Sequence, residues 1–167
     1  MAEIQLIVLF PSDINGESVY HALCDFARYP ELSGTVLSVT CGIDEETGRD
    51  ASTWRVKFRE GILEWTEADQ FLPERKIIKF ELLRGDLEHF AGQWSILEKP
   101  GQTRAVLFQA EFDLGIPSLS HILDPLAIES LSGNVRQILD GLFAKLEKRS
   151  PAVLTSQDAR QMDYQPC

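Results

Sequence analysis

The spacing of hydrophobic positions changes period twice along this chain. Ile4, Leu6, Val8 and Phe10 fall on one parity, which predicts a first strand over 4–10. Pro11-Ser12-Asp13 breaks it, and Asp13 or Asn15 can cap the helix that follows. Val19, Leu23 and Phe26 mark the apolar stripe of that helix. The stripe stops at "DFARYPEL", because the residue before Pro30 is biased away from α, so a second short helix or turn is expected near 30–33.

From Thr35 the period becomes two. Strands are predicted over 36–41, 52–60, 63–71, 77–83, 88–97 and 103–114, separated by short polar, glycine- or proline-containing turns. The inward parity holds Trp54, Val56 and Phe58, then Leu63, Trp65 and Phe71, then Ile78, Phe80 and Leu82. It continues with Phe90, Gly92, Trp94 and Ile96, and with Val106, Phe108, Ala110 and Phe112. After Gly115 the period returns to 3.6. Asp124 as N-cap and Pro125 at the first helical position would open a long helix. Leu126, Leu131, Val135, Ile138, Leu142 and Leu146 mark its apolar face, and Ser150-Pro151 ends it.

The order is therefore one strand, two short helices, six strands and one long helix. Consecutive strands on short turns make an antiparallel meander with one buried face. That face must wrap something, and the terminal helix is the element at hand. The fold expected is α+β, a helix-grip arrangement: a curved seven-stranded antiparallel sheet around a long C-terminal helix. One helix cannot fill such a sheet, so an internal hydrophobic cavity is expected. Residues 1–149 read as a single domain, and 150–167, poor in apolar residues, as a flexible tail.

Composition narrows the partners. The 167 residues carry a formal net charge of −10, which argues against nucleic acid and against a permanent place on anionic lipid. No run approaches the length of a membrane span. The start "MAEIQLIVLFPSD" does not read as a signal peptide. Cys24, Cys41 and Cys167 are odd in number and widely spaced, which suggests reduced thiols and a cytoplasmic location. No cluster has zinc-ligand spacing, and there is neither a glycine-rich phosphate loop nor a Ser-His-Asp pattern, so no metal or cofactor is expected.

The element order, with "FARYPEL", "LEWTEADQF", "FELLRGDLEHFAGQW" and "FDLGIPSLSHILDPL", resembles the START-like (Bet v 1-like) superfamily over roughly residues 3–148. Within it the chain is similar to the polyketide cyclase/aromatase and coenzyme Q-binding branch. The resemblance implies a hydrophobic ligand held between sheet and C-terminal helix. It implies Tyr29 at the pocket mouth, with Trp54, Phe58, Trp65, Phe71, Phe80, Phe90, Trp94, Phe108 and Leu123 as ligand-binding residues. Two activities follow from it: cyclisation and dehydration of a poly-β-keto intermediate, or non-catalytic carriage of a lipid, quinone or isoprenoid. An acyl carrier protein is a further partner under the first, with Arg55, Lys57 and Arg59 as its docking patch; the chain would be a monomer or homodimer. One departure stands out. Aromatic polyketide cyclases of this fold carry a serine and an arginine where this chain has Glu67 and Asp69, and the pocket tyrosine aligns with Val36.

Glu67 and Asp69 share the parity of Leu63, Trp65 and Phe71, which puts two carboxylates on an apolar face about 7 Å apart by strand rise. Burial and mutual repulsion would separate their pKa values, as general acid–base chemistry needs. The competing reading leaves Asp69 at a wet rim and pairs Glu67 with Arg55 through a local bulge. His121, at the start of the helical region, is the third candidate catalytic residue; His89 falls on the outward parity.

Overall fold

A computed structural model describes residues 1–99 and 103–148. The expected tail, 150–167, lies outside them. Strand β1 (Ala2–Leu9) leads to helix α1 (Gly16–Cys24), a 3₁₀ turn (Phe26–Arg28) and the one-turn helix α2 (Tyr29–Leu32). The six strands of the meander are β2 (Val36–Ile43), β3 (Asp50–Phe58), β4 (Gly61–Leu72), β5 (Ile77–Gly85), β6 (His89–Leu97) and β7 (Ala105–Asp113). A 3₁₀ turn (Pro117–Leu119) then runs into the long helix α3 (Ser120–Glu147). All seven strands form one antiparallel sheet in the order β1-β7-β6-β5-β4-β3-β2, with β1 closing back on β7. The helix-grip expectation is met in element order, pairing and the long terminal helix.

Asn15 caps α1 by accepting from the Ser18 amide at 2.8 Å. The start of α3 differs from the expectation at Asp124-Pro125. The Pro117–Leu119 turn passes directly into α3 at Ser120, so Pro125 lies inside the helix. Lacking an N–H, Pro125 leaves the His121 carbonyl without its usual donor, a loss tolerable so near a helix end.

One face of the sheet is packed with aromatic rings. Phe108 contacts Trp94 at 4.7 Å and Phe80 at 5.9 Å between centroids, and Phe80 contacts Phe90 at 4.9 Å. Gly92 makes room for them: a Cβ there would come within 2.1 Å of the Gln109 carbonyl oxygen and 2.9 Å of the Phe80 ring. Helix α3 lays Val135, Ile138, Leu139, Leu142 and Phe143 onto this core. A polar latch holds the start of β2 to the helix. Ser33 Oγ donates to Gln137 Oε1 at 2.9 Å and lies 2.9 Å from Thr35 Oγ1, which donates to Asn134 Oδ1.

Candidate functional site

Strand β4 keeps its parity through Glu67 and Asp69, so both carboxyl groups are buried, at 4% and 5% exposure. The bulge lies across from them: Thr66 pairs with Arg84 and Glu67 with Leu82, leaving the extra residue on β5. The wet-rim reading is therefore not met, and Arg55 pairs with Glu64 rather than Glu67, at 2.6 Å. Beside the acids on β3 is Ser52, opposite Glu67 and almost fully buried. Ser52 Oγ donates to Asp69 Oδ2 at 2.6 Å and accepts from Trp54 Nε1 at 2.8 Å. Trp65 Nε1 donates to Glu67 Oε2 at 2.8 Å. The two indoles that cap this group stack on each other, 5.8 Å apart and within 2° of parallel. Phe26 closes it from the helical side, packing on Trp54, Tyr29 and Phe71.

Such enclosure fixes the protonation pattern. Burial drives the Glu67 carboxyl well above the usual carboxylate range, and the neighbouring Asp69 charge drives it further. Burial also raises Asp69, from 3.8 to about 6, against hydrogen bonds from Ser52 and Glu67 that favour its charged form. Glu67 is thus the acid of the pair and Asp69 the first to ionise. Asp69 Oδ1 is buried with no other hydrogen-bond partner. A proton on Glu67, shared with Asp69, is the natural way to satisfy the pair.

A hollow opens on the other side of the Trp65 ring. It lies between the β3–β4 hairpin, the ends of β6 and β7 and the first half of α3. Its walls are Val56, Phe58, Leu63, Trp65, Leu87, Phe90, Phe112 and Leu114 from the sheet side. Ala127, Leu131, Ser130 and Asn134 face it from the helix, and Lys57 completes the lining. The cavity measures ≈ 50 Å³, or ≈ 460 Å³ of empty space when its open mouth is included. Trp65 is common to both features: its ring lines the hollow and its N–H holds Glu67.

Of the residues expected to bind ligand, Phe58, Trp65 and Phe90 line this hollow. Trp54 and Phe71 instead enclose the acid pair with Phe26. Phe80, Trp94 and Phe108 pack on one another in the core, and Leu123 is half-buried at the start of α3, away from the lining. Tyr29 does not stand at a mouth. It is fully buried, its hydroxyl donates to the Leu23 carbonyl at 2.5 Å, and its ring rests on Phe26, Trp54 and Trp94. Burial also keeps that phenol neutral, well above its ordinary range. His121 is not brought to the carboxylates: because α3 starts a turn early, it lies exposed on the first turn of the helix. His89 meets Glu111 at 3.0 Å on the outer face. His21 is half-buried beside Glu17.

Two parts of the site went unread in the sequence. Ser52 was legible in principle, since its parity matches Trp54 and Val56. Ala127 and Asn134 are the second: they share a helix face with Leu131, already marked as apolar, at i, i+4 and i+7. Among the described residues no group of three or more His, Cys, Asp or Glu could hold a metal, and no helix is long and apolar enough to cross a membrane.

A seven-stranded antiparallel sheet closed on one long helix, with an apolar hollow between them, defines the helix-grip class of ligand-binding folds. Residues 15–138 match the family model described as polyketide cyclase / dehydrase and lipid transport, and the chain belongs to that family. Its fold is similar to that of TTHA0849 from Thermus thermophilus (TM-score 0.70, 22% identity, covering 89% of this chain and 98% of that one). The Zhui aromatase/cyclase from Streptomyces sp. R1128 has a TM-score of 0.67 and 18% identity, with 90% and 95% covered. A START superfamily protein from Mycobacterium smegmatis has a TM-score of 0.66 and 14% identity, with 89% and 99% covered. No curated protein sequence matches the chain significantly.

Proposed function

We propose that the protein binds a hydrophobic small molecule in the hollow between sheet and α3, as a lipid- or polyketide-binding member of its family. The observation that carries this reading is the lining itself: an open, largely apolar recess with few polar groups on its walls. A recess of this size admits a short chain or a single ring without rearrangement, and a larger ligand requires Trp65 or α3 to move. Mass spectrometry of the purified protein tests the reading, with Ala127→Phe as the control. A co-purifying lipid, quinone or aromatic polyketide that Ala127→Phe loses supports it. A clean wild-type protein that also ignores added apolar ligands removes it.

The buried acid pair favours a second reading, a cyclase/dehydratase. The Asp69 carboxylate takes a proton from the carbon between two carbonyls of a poly-β-keto chain. The resulting enolate carbon attacks a further carbonyl of the same chain, forming the ring bond. Glu67 then gives its proton to the new alkoxide, and Asp69 passes the abstracted proton to Glu67, which leaves the β-hydroxy ring and a reset pair. In a second round Asp69 takes the remaining proton of that same carbon while Glu67 protonates the hydroxyl, so that the C–O bond breaks, the double bond forms and water leaves. This chemistry requires no arginine, but it does require the Trp65 indole to withdraw so that substrate reaches the pair. Docking of an acyl carrier protein at Lys57 and Arg59 and a cytoplasmic location belong to the same reading. The test is turnover of a carrier-bound poly-β-keto substrate: Glu67→Gln and Asp69→Asn are each expected to lose at least about a hundredfold in rate. Full activity in both removes the pair from the chemistry.

A further inference from the structure

We infer that Ser130 and Asn134 form the hydrogen-bonding subsite of the hollow, and that its ligand is an uncharged molecule with a carbonyl oxygen, a ketone, ester or quinone, rather than an acid or a plain hydrocarbon. The inference rests on the binding reading above and extends it to the ligand's polar group.

Besides Trp65, whose N–H is spent on Glu67, the lining holds three residues with polar side chains: Lys57, Ser130 and Asn134. Lys57 alternates along β3 with the inward Val56 and Phe58 and lies opposite the exposed Ile62, so its ammonium group belongs to the outer face. Ser130 and Asn134 lie on the face of α3 that carries Ala127 and Leu131, and both are half-buried. Residues at i and i+4 of a helix have Cβ atoms about 6 Å apart, so one small group can meet both side chains.

Their hydrogen-bonding capacity is unspent. Thr35 Oγ1 donates to Asn134 Oδ1, which pins the amide by its oxygen and leaves the Nδ2 protons without an acceptor among the described residues. The Ser130 hydroxyl likewise has no partner among the described residues. A hydrocarbon packed against these two groups would strip their water and leave both donors unmet. A carboxylate would sit among apolar side chains with no cation to pair it. A carbonyl oxygen offers one lone pair to the amide N–H and one to the hydroxyl, and brings no charge.

Three planar probes of nearly one shape test this by NMR titration of the full chain, read at the Trp65 indole N–H. They are acetophenone, α-methylstyrene, in which a methylene replaces the carbonyl oxygen, and benzoate. Ser130→Ala and Asn134→Leu are each expected to weaken acetophenone about fivefold, the scale of one neutral hydrogen bond, and to leave α-methylstyrene as tight or tighter. Benzoate is expected to bind wild type more weakly than acetophenone does. Asn134→Leu also cuts the tie to Thr35, so Ser130→Ala, which leaves the latch whole, carries the result if the former does not fold. An acetophenone to α-methylstyrene ratio unchanged in Ser130→Ala, or benzoate as tight as acetophenone, overturns the assignment while the binding reading stands. Silence from all three probes overturns both.

Discussion

Ser52 has a single proton to give, and Trp54 decides where it goes. The indole N–H of Trp54 occupies the acceptor side of the hydroxyl, so the serine donates to Asp69 at 2.6 Å, with Glu67 more distant at 3.5 Å. That bond favours charge on Asp69 and leaves the held proton on Glu67. Both acids therefore bind protons more tightly folded than unfolded, which sets the sign of a pH effect. Well below pH 3.8 residue 69 is protonated in either state and contributes nothing. Between 3.8 and about 6 the unfolded chain releases that proton while the folded one keeps it, so stability falls as pH rises. For Asp69 alone the loss is about 3 kcal/mol at its full extent, and Glu67, raised by burial, adds a loss of the same sign. Urea midpoints measured from pH 4 to 8 should decline more steeply for wild type than for the Glu67→Gln, Asp69→Asn double variant. Parallel curves would contradict this account of the pair.

Strands β4, β5 and β6 can bring acid pair, aromatic core and hollow together because two glycines let backbones and rings approach. Gly85 lies opposite Trp65 with φ +139°, where a side chain would be strained, and a Cβ there would sit 2.5 Å from the Trp65 Cα. Gly92 removes the side chain that would collide with β7 and with Phe80. Gly92→Ala is expected to cost about 1–3 kcal/mol, the usual range for overpacking, and to reduce the near-ultraviolet circular dichroism of the Phe80, Trp94 and Phe108 group. An unchanged urea midpoint would show that β6 can shift away from β7 without penalty. At the other end of the sheet, Gly141 brings α3 against α2, with a Cβ position 3.2 Å from the Leu32 carbonyl oxygen. These contacts define how far the helix can sink into the sheet, and so how much space remains at the β3–β4 hairpin.

Across the whole molecule, the core is dense at the α1–α2 side and thins toward the first half of α3. Val135 to Phe143 are mostly buried there, whereas Leu123, Leu126 and Leu131 are only partly covered. The Ser33, Thr35, Asn134 and Gln137 latch marks the boundary between the packed half and the hollow. A ligand that fills the hollow completes this half of the core and should stabilise the fold by mass action. At a free concentration a hundred times its Kd the gain is about 2.7 kcal/mol, a rise in Tm of roughly 2–8 °C for a domain of this size. Ala127→Phe projects a ring into the hollow from α3 and should abolish the ligand-dependent rise while the protein still melts cooperatively. A rise of equal size in that variant would place the ligand elsewhere.

The periodicity of side chains was enough to predict seven strands, the terminal helix and the burial of Glu67 and Asp69, because parity along a strand is a local property set by alternating Cβ directions. The same local rule put Trp54, Trp65 and Phe90 inward. It could not tell which inward residues face the hollow, which face the acids and which face each other. That division depends on strand neighbours across a twisted sheet and on where α3 crosses it, both set by contacts between distant segments. Hence Tyr29 was expected at a mouth but is buried in the core, His121 was a catalytic candidate but stands in solvent, and Ser52 stood out only through its pairing with Glu67. The start of α3 shows the same limit. Asp124-Pro125 is a sound local signal, yet the turn at Pro117 begins the helix first.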